Sequence, residues 1–321
     1  MEQVLARLRA AAEATRLRLL AICAECELTV SEITQIIGQS QPRVSRHLKL
    51  LCEAGLLVRF REGTWVFYRT PHNSAGADLV RPILDLLPMD DETLSLDRAR
   101  LDQVKVQREQ IATEYFRANA KDWDRIRSLH VDEAVVEKAL LDAVGDLAGG
   151  RILDVGTGTG RILELLGRTA EEGVGVDMSR EMLAVARARL QRADLSNCLV
   201  RQADMYQLPY PGGMFDTVIL HQVLHFAEKP EAAIDEASRV LAPGGRLVVV
   251  DFASHDREEL REEHAHRRLG FDDTAISTWF RACELAPDDV ISLPGKPLTV
   301  RIWSARADME TAKQKTHKAA E

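Results

Sequence analysis

No stretch of the 321 residues approaches the roughly 20 continuous apolar residues needed to span a bilayer, so no membrane partner is expected. The opening Met1-Glu2-Gln3 lacks the basic and apolar regions of a signal peptide, and a cytoplasmic location is expected. Cysteine is scarce: the five present are odd in number and have no framework spacing, so in a reducing compartment they read as buried thiols rather than disulfides. Cys23 and Cys26 form a C-x-x-C on a core-facing helix, but no second pair of ligands accompanies them, and no metal is expected. Internal repeats are also missing.

What is present describes an ordinary globular chain, 45% hydrophobic and 29% charged, and too long for one typical core. The net charge of −8 is unevenly spread. Residues 1–70 carry 10 Lys/Arg against 7 Asp/Glu, and the remainder 32 against 43, so any nucleic-acid contact belongs to the head. Four zones are expected: a compact head over 1–88, a charged helical connector over 89–110, a body of alternating helix and strand patterns over 111–305, and a disordered polar tail over 306–321.

In the head, Thr29 to Ile37 places Val30, Ile33, Ile36 and Ile37 on one helical face, and Gly38 ends that helix. Ser40 then caps a helix with Pro42 in its first turn and Val44, Leu48 and Leu51 facing the core. Its other face shows Gln41, Arg43, Ser45, Arg46 and Lys49, which makes a helix-turn-helix with a polar, basic second helix. Two β-prone runs around Glu62-Gly63 follow as a hairpin, a wing whose Arg59 and Arg61 share one strand face suited to phosphates. With Ala14-Thr15-Arg16-Leu17-Arg18-Leu19-Leu20, Ser40 through Leu51 and Glu53-Ala54-Gly55-Leu56, the segment resembles the ArsR/SmtB family of winged-helix regulators. The resemblance implies a homodimer on a double-stranded DNA operator, with the first helix and residues 77–87 at the dimer seam. It also implies a departure. Metal-sensing members carry thiolates where this chain has Thr29 and Ser31, so an effector site is expected elsewhere.

The body opens with an apolar run, Arg151 to Val155, that enters Gly156-Thr157-Gly158-Thr159-Gly160 and then a helix, the start of a βαβ unit. Asp177 ends the next apolar run, near the distance at which an acidic residue reaches a ribose. The glycines at 156, 158 and 160, followed by Arg161, do not fit the dinucleotide pattern G-x-G-x-x-G. Further strands are expected at Leu199–Ala203, Phe215–Leu220 and Arg246–Phe252, with Leu241 to Gly245 as a turn and a final antiparallel pair near 290–303. Asp154, Asp177, Asp204 and His221 then fall at strand carboxyl ends, where such sheets bind ligands.

Together with Gly175-Val176-Asp177-Met178-Ser179, Ala203-Asp204-Met205, Leu208-Pro209-Tyr210 and Leu241-Ala242-Pro243-Gly244-Gly245, this run resembles class I S-adenosylmethionine (SAM)-dependent methyltransferases, nearest to the ubiquinone- and menaquinone-biosynthesis group. The resemblance implies a Rossmann-like seven-stranded domain joined through the connector to the winged helix-turn-helix. It places SAM, or its product S-adenosylhomocysteine, on Asp154, Gly156, Thr157, Gly158, Gly160, Asp177, Met178, Asp204, Met205 and His221. Asp177 would take the ribose hydroxyls, Met178 would lie against adenine, and Asp204-Met205 would meet the adenine amino group. The upstream segment Tyr115 to Asp124 would cover the cofactor.

Methyl transfer is an in-line displacement that needs a base only when the acceptor must lose a proton early. His221, His225, His264 and His266 are candidates, with His221 first because it ends a strand. Leu220-His221-Gln222-Val223 lacks the Pro-Pro-aromatic run of DNA-base methylation, and Cys198 and Cys283 are too few for arsenite chemistry. A regulator that methylates a small molecule is therefore expected. The alternative is a catalytically silent repressor that senses SAM or S-adenosylhomocysteine, for example over methionine-cycle genes.

Overall fold

The computed structural model describes residues 1–62, 65–71, 77–88, 90–119, 132–145, 147 and 149–308. The chain divides into two compact units, Met1–Ile111 and Ala112–Glu321. No helix among the described residues is long and apolar enough to cross a membrane.

The first unit contains α1 (Glu2–Ala11), α2 (Ala14–Glu25), β1 (Leu28–Thr29), α3 (Val30–Ile37), α4 (Gln41–Glu53), β2 (Val58–Glu62), β3 (Trp65–Arg69), α5 (Ala77–Asp85) and the start of α6 (Glu92–Asn119). Gly38 takes the left-handed conformation (φ 70°) that stops α3, as expected. Ser40 stands at the N-cap of α4 but makes no side-chain cap bond. The reciprocal cap lies one helix earlier: the Glu32 amide donates to Thr29 Oγ1 (3.3 Å) and the Thr29 amide to Glu32 Oε2 (2.8 Å). Thr29 thus spends its hydroxyl on a helix end. The hairpin forms as expected, and β1 joins it to give the order β1-β3-β2.

The core of this unit is built from Leu19, Leu20, Ile33, Ile36, Val44, Leu48, Leu51 and Leu56, and it includes Leu101 and Val104 of α6. Two guanidinium groups fasten the end of α3. Arg18 donates to the Ile37 carbonyl (2.8 Å) and Arg100 of α6 to the Ile36 carbonyl (3.1 Å), satisfying acceptors that a helix C-terminus leaves open. Arg18 also donates to both oxygens of Asp97 (2.6 and 2.7 Å), a carboxylate only 2% exposed.

The second unit contains α7 (Glu133–Val144), β4 (Arg151–Val155), α8 (Arg161–Leu166), β5 (Glu172–Asp177), α9 (Arg180–Arg192), β6 (Cys198–Gln202), β7 (Phe215–His221), α10 (Pro230–Val240), β8 (Leu241–Phe252), α11 (Glu259–Glu263), α12 (Asp273–Ala282), β9 (Leu285–Pro287), β10 (Ile291–Pro294) and β11 (Thr299–Ala307). The strand order is β6-β5-β4-β7-β8-β11-β10, parallel from β6 through β8 and antiparallel beyond. This is the doubly wound, Rossmann-like α/β sheet that the pattern implied. Adjacent residues serve opposite faces. Leu153, Val218, Leu220, Leu247 and Val249 pack with α10 and α12, whereas Ile152, Ile219, Val248 and Val250 pack with α7, α8 and α9.

Leu241 registers on Phe215, but the ladder then shifts and Thr217 faces Arg246, so Ala242 to Gly245 bulge out between these pairs, with Gly244 at positive φ (71°), where the turn was expected. Two details depart from the expected pattern. A short β9 lies along the outer edge of β11 beyond β10, pairing Leu285–Pro287 with Ala305–Ala307. Arg306 and Ala307, assigned to the tail by the sequence pattern, therefore belong to the sheet, and residues 309–321 of that tail lie outside the described residues.

Candidate functional site

The strand order reverses between β4 and β7, because β5 lies on one side of β4 and β7 on the other. Such a switch point opens a crevice beyond the strand carboxyl ends. Asp154 near the end of β4, Asp177 at the end of β5, Asp204 after β6 and His221 at the end of β7 all stand on that edge. Asp154 is 1% exposed and His221 7%.

The glycine loop is shaped by its neighbours on both sides. The amides of Gly156 and Thr157 both donate to the Val176 carbonyl (2.8 and 2.9 Å), which folds the loop over the end of β5. Gly158 donates its amide to Asp177 Oδ2 (2.9 Å), and Ser179 donates to Asp177 Oδ1 (2.8 Å). At Gly156 the backbone is left-handed (φ 73°), and a Cβ there would stand 2.3 Å from Val223 Cγ2. Glycine is required twice over at this position, by conformation and by space. Thr157 is buried, and Gly160 opens α8.

Asp177 has an electrostatic signature. Burial pushes its carboxyl above the ordinary aspartate range, against the lowering effect of the amides of Ser179, Gly158 and Met178. Each oxygen holds one main-chain donor and keeps lone-pair capacity for a further one, which suits a pair of vicinal hydroxyls. Met178 beside it is 59% exposed, an apolar surface next to that carboxylate. The Ala203 amide donates to the Asp177 carbonyl (3.2 Å), bringing Asp204 and the half-buried Met205 to the same edge. These donors and surfaces fit a nucleoside carrying an amino acid, as SAM does. Of the upstream segment expected to cover it, residues 120–124 lie outside the described residues.

One partner of the histidines was not read from the sequence. Asp251 of β8 is fully buried and lies 2.8 Å from His225 Nδ1. Within a strand of apolar residues it reads as an ordinary strand position. Only the pairing of β7 with β8 brings it beneath the turn that carries His225.

On the head, Gln41, Arg43, Ser45, Arg46 and Lys49 are all exposed along α4, opposite buried Val44, Leu48 and Leu51. Arg59 and Arg61 of β2 are exposed and register with Tyr68 and Val66, so they share a face. The opposite face carries Phe60 stacked on Phe67 (5.5 Å between rings), with the Arg69 guanidinium 5.7 Å over Phe60. The wing is thus stiffened on one side and basic on the other. Cys23 and Cys26 are buried, and burial pushes the Cys23 thiol up well beyond its ordinary range.

Comparison with known proteins follows this division. The family model for a methyltransferase domain matches residues 153–249, and that for bacterial regulatory proteins of the arsR family matches residues 13–58. A demethylmenaquinone methyltransferase of Thermus thermophilus is 37% identical over 48% of this chain and 72% of its own length. Another from Tropheryma whipplei is 34% identical over 44% of this chain, which spans 59% of that relative's length. Among solved structures, a chain of the complex between the Haloferax volcanii Trm112 methyltransferase activator and a methyltransferase superposes with a TM-score of 0.52. It is 20% identical and covers 60% of this chain and 97% of its own, a likeness of fold.

Proposed function

We propose that this chain, which belongs to the SAM-dependent methyltransferases and carries an ArsR-family domain ahead of its methyltransferase domain, is a DNA-binding regulator that methylates a small molecule. The observation that carries the enzymatic half is Asp177, a desolvated carboxylate tied to the glycine loop at a topological switch point. In this reading Asp177 accepts the ribose hydroxyls and Met178 lies against adenine. Asp204 and Met205 meet the adenine amino group. The loop of Gly156, Thr157, Gly158 and Gly160 admits the amino-acid end, whose ammonium the buried Asp154 helps to neutralise. His221 contacts the cofactor from the end of β7. Bound there, SAM supplies a methyl group on a sulfonium, and the protein's task is to align an acceptor with it and exclude water.

The regulatory half rests on α4 and the wing. Gln41, Arg43, Ser45, Arg46 and Lys49 read the major groove, and Arg59 and Arg61 hold phosphates. A homodimer is supported by Val4, Leu5 and Leu8, each 42% exposed on α1. A cytoplasmic protein with a double-stranded DNA operator and a soluble acceptor follows.

The test is run on the full chain. DNA fragments selected from the source genome are titrated with and without SAM and S-adenosylhomocysteine, beside assays of labelled methyl transfer to cell-extract metabolites. Sequence-specific DNA binding together with methyl transfer supports the proposal. DNA affinity that shifts with the nucleoside, without transfer to any metabolite, replaces the enzyme by a sensor.

A further inference from the structure

One helix belongs to both units. α6 runs for 28 residues, Glu92–Asn119, without a glycine or a proline, and the division between the units falls inside it, after Ile111. A helix with neither breaker is a stiff element. Its first half is built into the head: Leu101 and Val104 join the core, and Lys105 Nζ lies 2.9 Å from Glu25 Oε2 of α2. Arg100 reaches the turn between α3 and α4. It donates to the Ile36 carbonyl (3.1 Å), and its guanidinium stands 3.1 Å from the place that a Cβ of Gly38 would take. Gly38 is the left-handed stop of α3, and Gln41 opens α4 three residues later. The buried Asp97 holds Arg18 on the neighbouring Ile37 carbonyl. Groups on α6 thus fasten the turn that sets α4.

Near its other end the same helix meets the edge of the nucleoside site. Phe116 packs edge-on against Phe226 at 4.7 Å, and Phe226 ends the single helical turn Leu224–Phe226 that follows β7. The residue before that turn, Val223, lies against the place where a Cβ of Gly156 would be, so the turn borders the glycine loop directly. Between His221 and Val223, Gln222 is left-handed (φ 51°). A residue other than glycine holds that state only where its surroundings over-determine it. Here the Gln222 amide donates to the Val250 carbonyl (2.7 Å), and the His225 carbonyl accepts the amides of Arg267 (2.9 Å) and Arg268 (3.0 Å). A strained residue therefore stands between the glycine loop and the ring that touches α6.

We propose that nucleoside binding and DNA binding are coupled through α6, so that SAM or S-adenosylhomocysteine on the glycine loop tightens the grip of α4 on DNA. The coupling rests on the reading of the two units as a SAM-binding domain and a DNA-binding head. Gln222 supplies the two-state element. Its left-handed form is strained, and a ligand seated against Gly156 and His221 supports that form over a relaxed one. The strained form fixes Val223 and Phe226, Phe226 fixes Phe116, and α6 carries the constraint to Arg100 and the turn before α4. A recognition helix already held in one orientation loses less freedom on entering the groove, and binds more tightly. A tenfold change in DNA affinity requires the held form to make up about one tenth of the empty protein. The glycine loop takes the amino-acid end that both ligands share, so the signal is occupancy of the site and not the methyl group.

The test uses the full chain, with DNA affinity read by fluorescence anisotropy on a selected fragment and SAM affinity by calorimetry. SAM and S-adenosylhomocysteine are each expected to lower the DNA Kd about tenfold. The DNA is expected to lower the SAM Kd by the same factor, because coupling is reciprocal. Val106 and Gln107 are exposed and lie on α6 between Lys105 and Phe116. Val106→Gly combined with Gln107→Gly softens the helix and leaves the contacts at both ends in place. This double variant is expected to keep each Kd measured alone and to reduce the shift to less than about twofold. Gln222→Gly acts in the opposite sense. Glycine takes the left-handed state without strain, so the DNA Kd of the empty protein is expected to fall severalfold, toward that of the liganded one. A wild-type protein that binds SAM and the selected DNA, each with the same affinity whether or not the other is present, overturns the inference. So does a double variant that keeps the full shift. Where the double variant loses either binding alone, Gln222→Gly decides: wild-type DNA affinity without nucleoside overturns the coupling, and a rise supports it. Failure of the wild type to bind SAM, or to select any DNA sequence, overturns instead the reading beneath it.

Discussion

Replacing Asp177 by Asn keeps the shape of the side chain but turns one acceptor into a donor. That donor would face the amide of Gly158 or of Ser179. One amide is left without its acceptor, a loss of about 1–3 kcal/mol. We expect Asp177→Asn to weaken SAM binding more than tenfold by calorimetry and to lower the Tm. The carboxyl also predicts a pH dependence. Its folded pKa is raised above the ordinary value of about 3.9, chiefly by burial, and the ionised form accepts from hydroxyl donors more strongly than the neutral one. SAM affinity should therefore fall as pH drops through a value above the usual aspartate range. The raised pKa works oppositely on the free fold: its stabilising contribution is present at low pH and lost as pH rises through that same value. Retention of full affinity across that window would separate Asp177 from the ligand. At Gly156 the two requirements can be measured apart. Gly156→Ala should lower the Tm because the new Cβ meets Val223. Adding Val223→Ala should restore only the part due to crowding, since the positive φ persists.

Helix ends and short strands were the least legible elements. Thr29 and Glu32 have the spacing of a capping box, yet the stronger signal of Ser40 before Pro42 drew the cap to α4, where no side-chain bond forms. A serine fixes the local conformation only if its hydroxyl finds a free amide, and the sequence does not show that. β1 and β9 have two and three residues, too few for any period to register, and they exist because a longer strand offers them an edge. The start of β8 contains Pro243-Gly244-Gly245, which argues for a turn by composition, and the ladder with β7 shifts at that point, from Leu241 on Phe215 to Arg246 on Thr217. Long periodic elements were legible because each buries one face. At this scale Asp97→Ala should destabilise the head by about 3 kcal/mol in thermal unfolding, since it leaves the partly buried Arg18 without its carboxylate. Thr29→Ala should cost about 1 kcal/mol. A Thr29→Ala loss as large as that of Asp97→Ala would contradict this ranking of a helix cap below a buried ion pair.

Across the whole molecule, the alternation of strands with helices and the edge on which the acidic residues fall could be read from strand, glycine loop and helix in succession. The pairing of His225 with Asp251 could not, because His225 lies in the turn after β7 and Asp251 on β8, and they meet only when the two strands align. The exposed polar and basic residues of α4 were legible because a helix with one buried stripe necessarily exposes the other. Their proposed role in DNA binding predicts a salt dependence. Arg43→Ala and Arg46→Ala should each weaken DNA binding, and a variant that loses a phosphate contact should reduce the slope of log affinity against log salt by about 0.9. An unchanged affinity for both variants would remove α4 from the interface.

The two guanidinium groups at the end of α3 also bear on how such a head can be exchanged between proteins. The arsR-family match ends at residue 58, and the sequence pattern placed the head's limit at 88. Yet Asp97, Arg100, Leu101 and Val104 complete its core and fasten the turn before α4. The inheritable cassette therefore extends past its family signature by the hairpin, α5 and most of α6, and its seam lies inside α6. A splice after Pro88 should give a head that aggregates on size-exclusion chromatography, whereas one after Ile111 should stay folded.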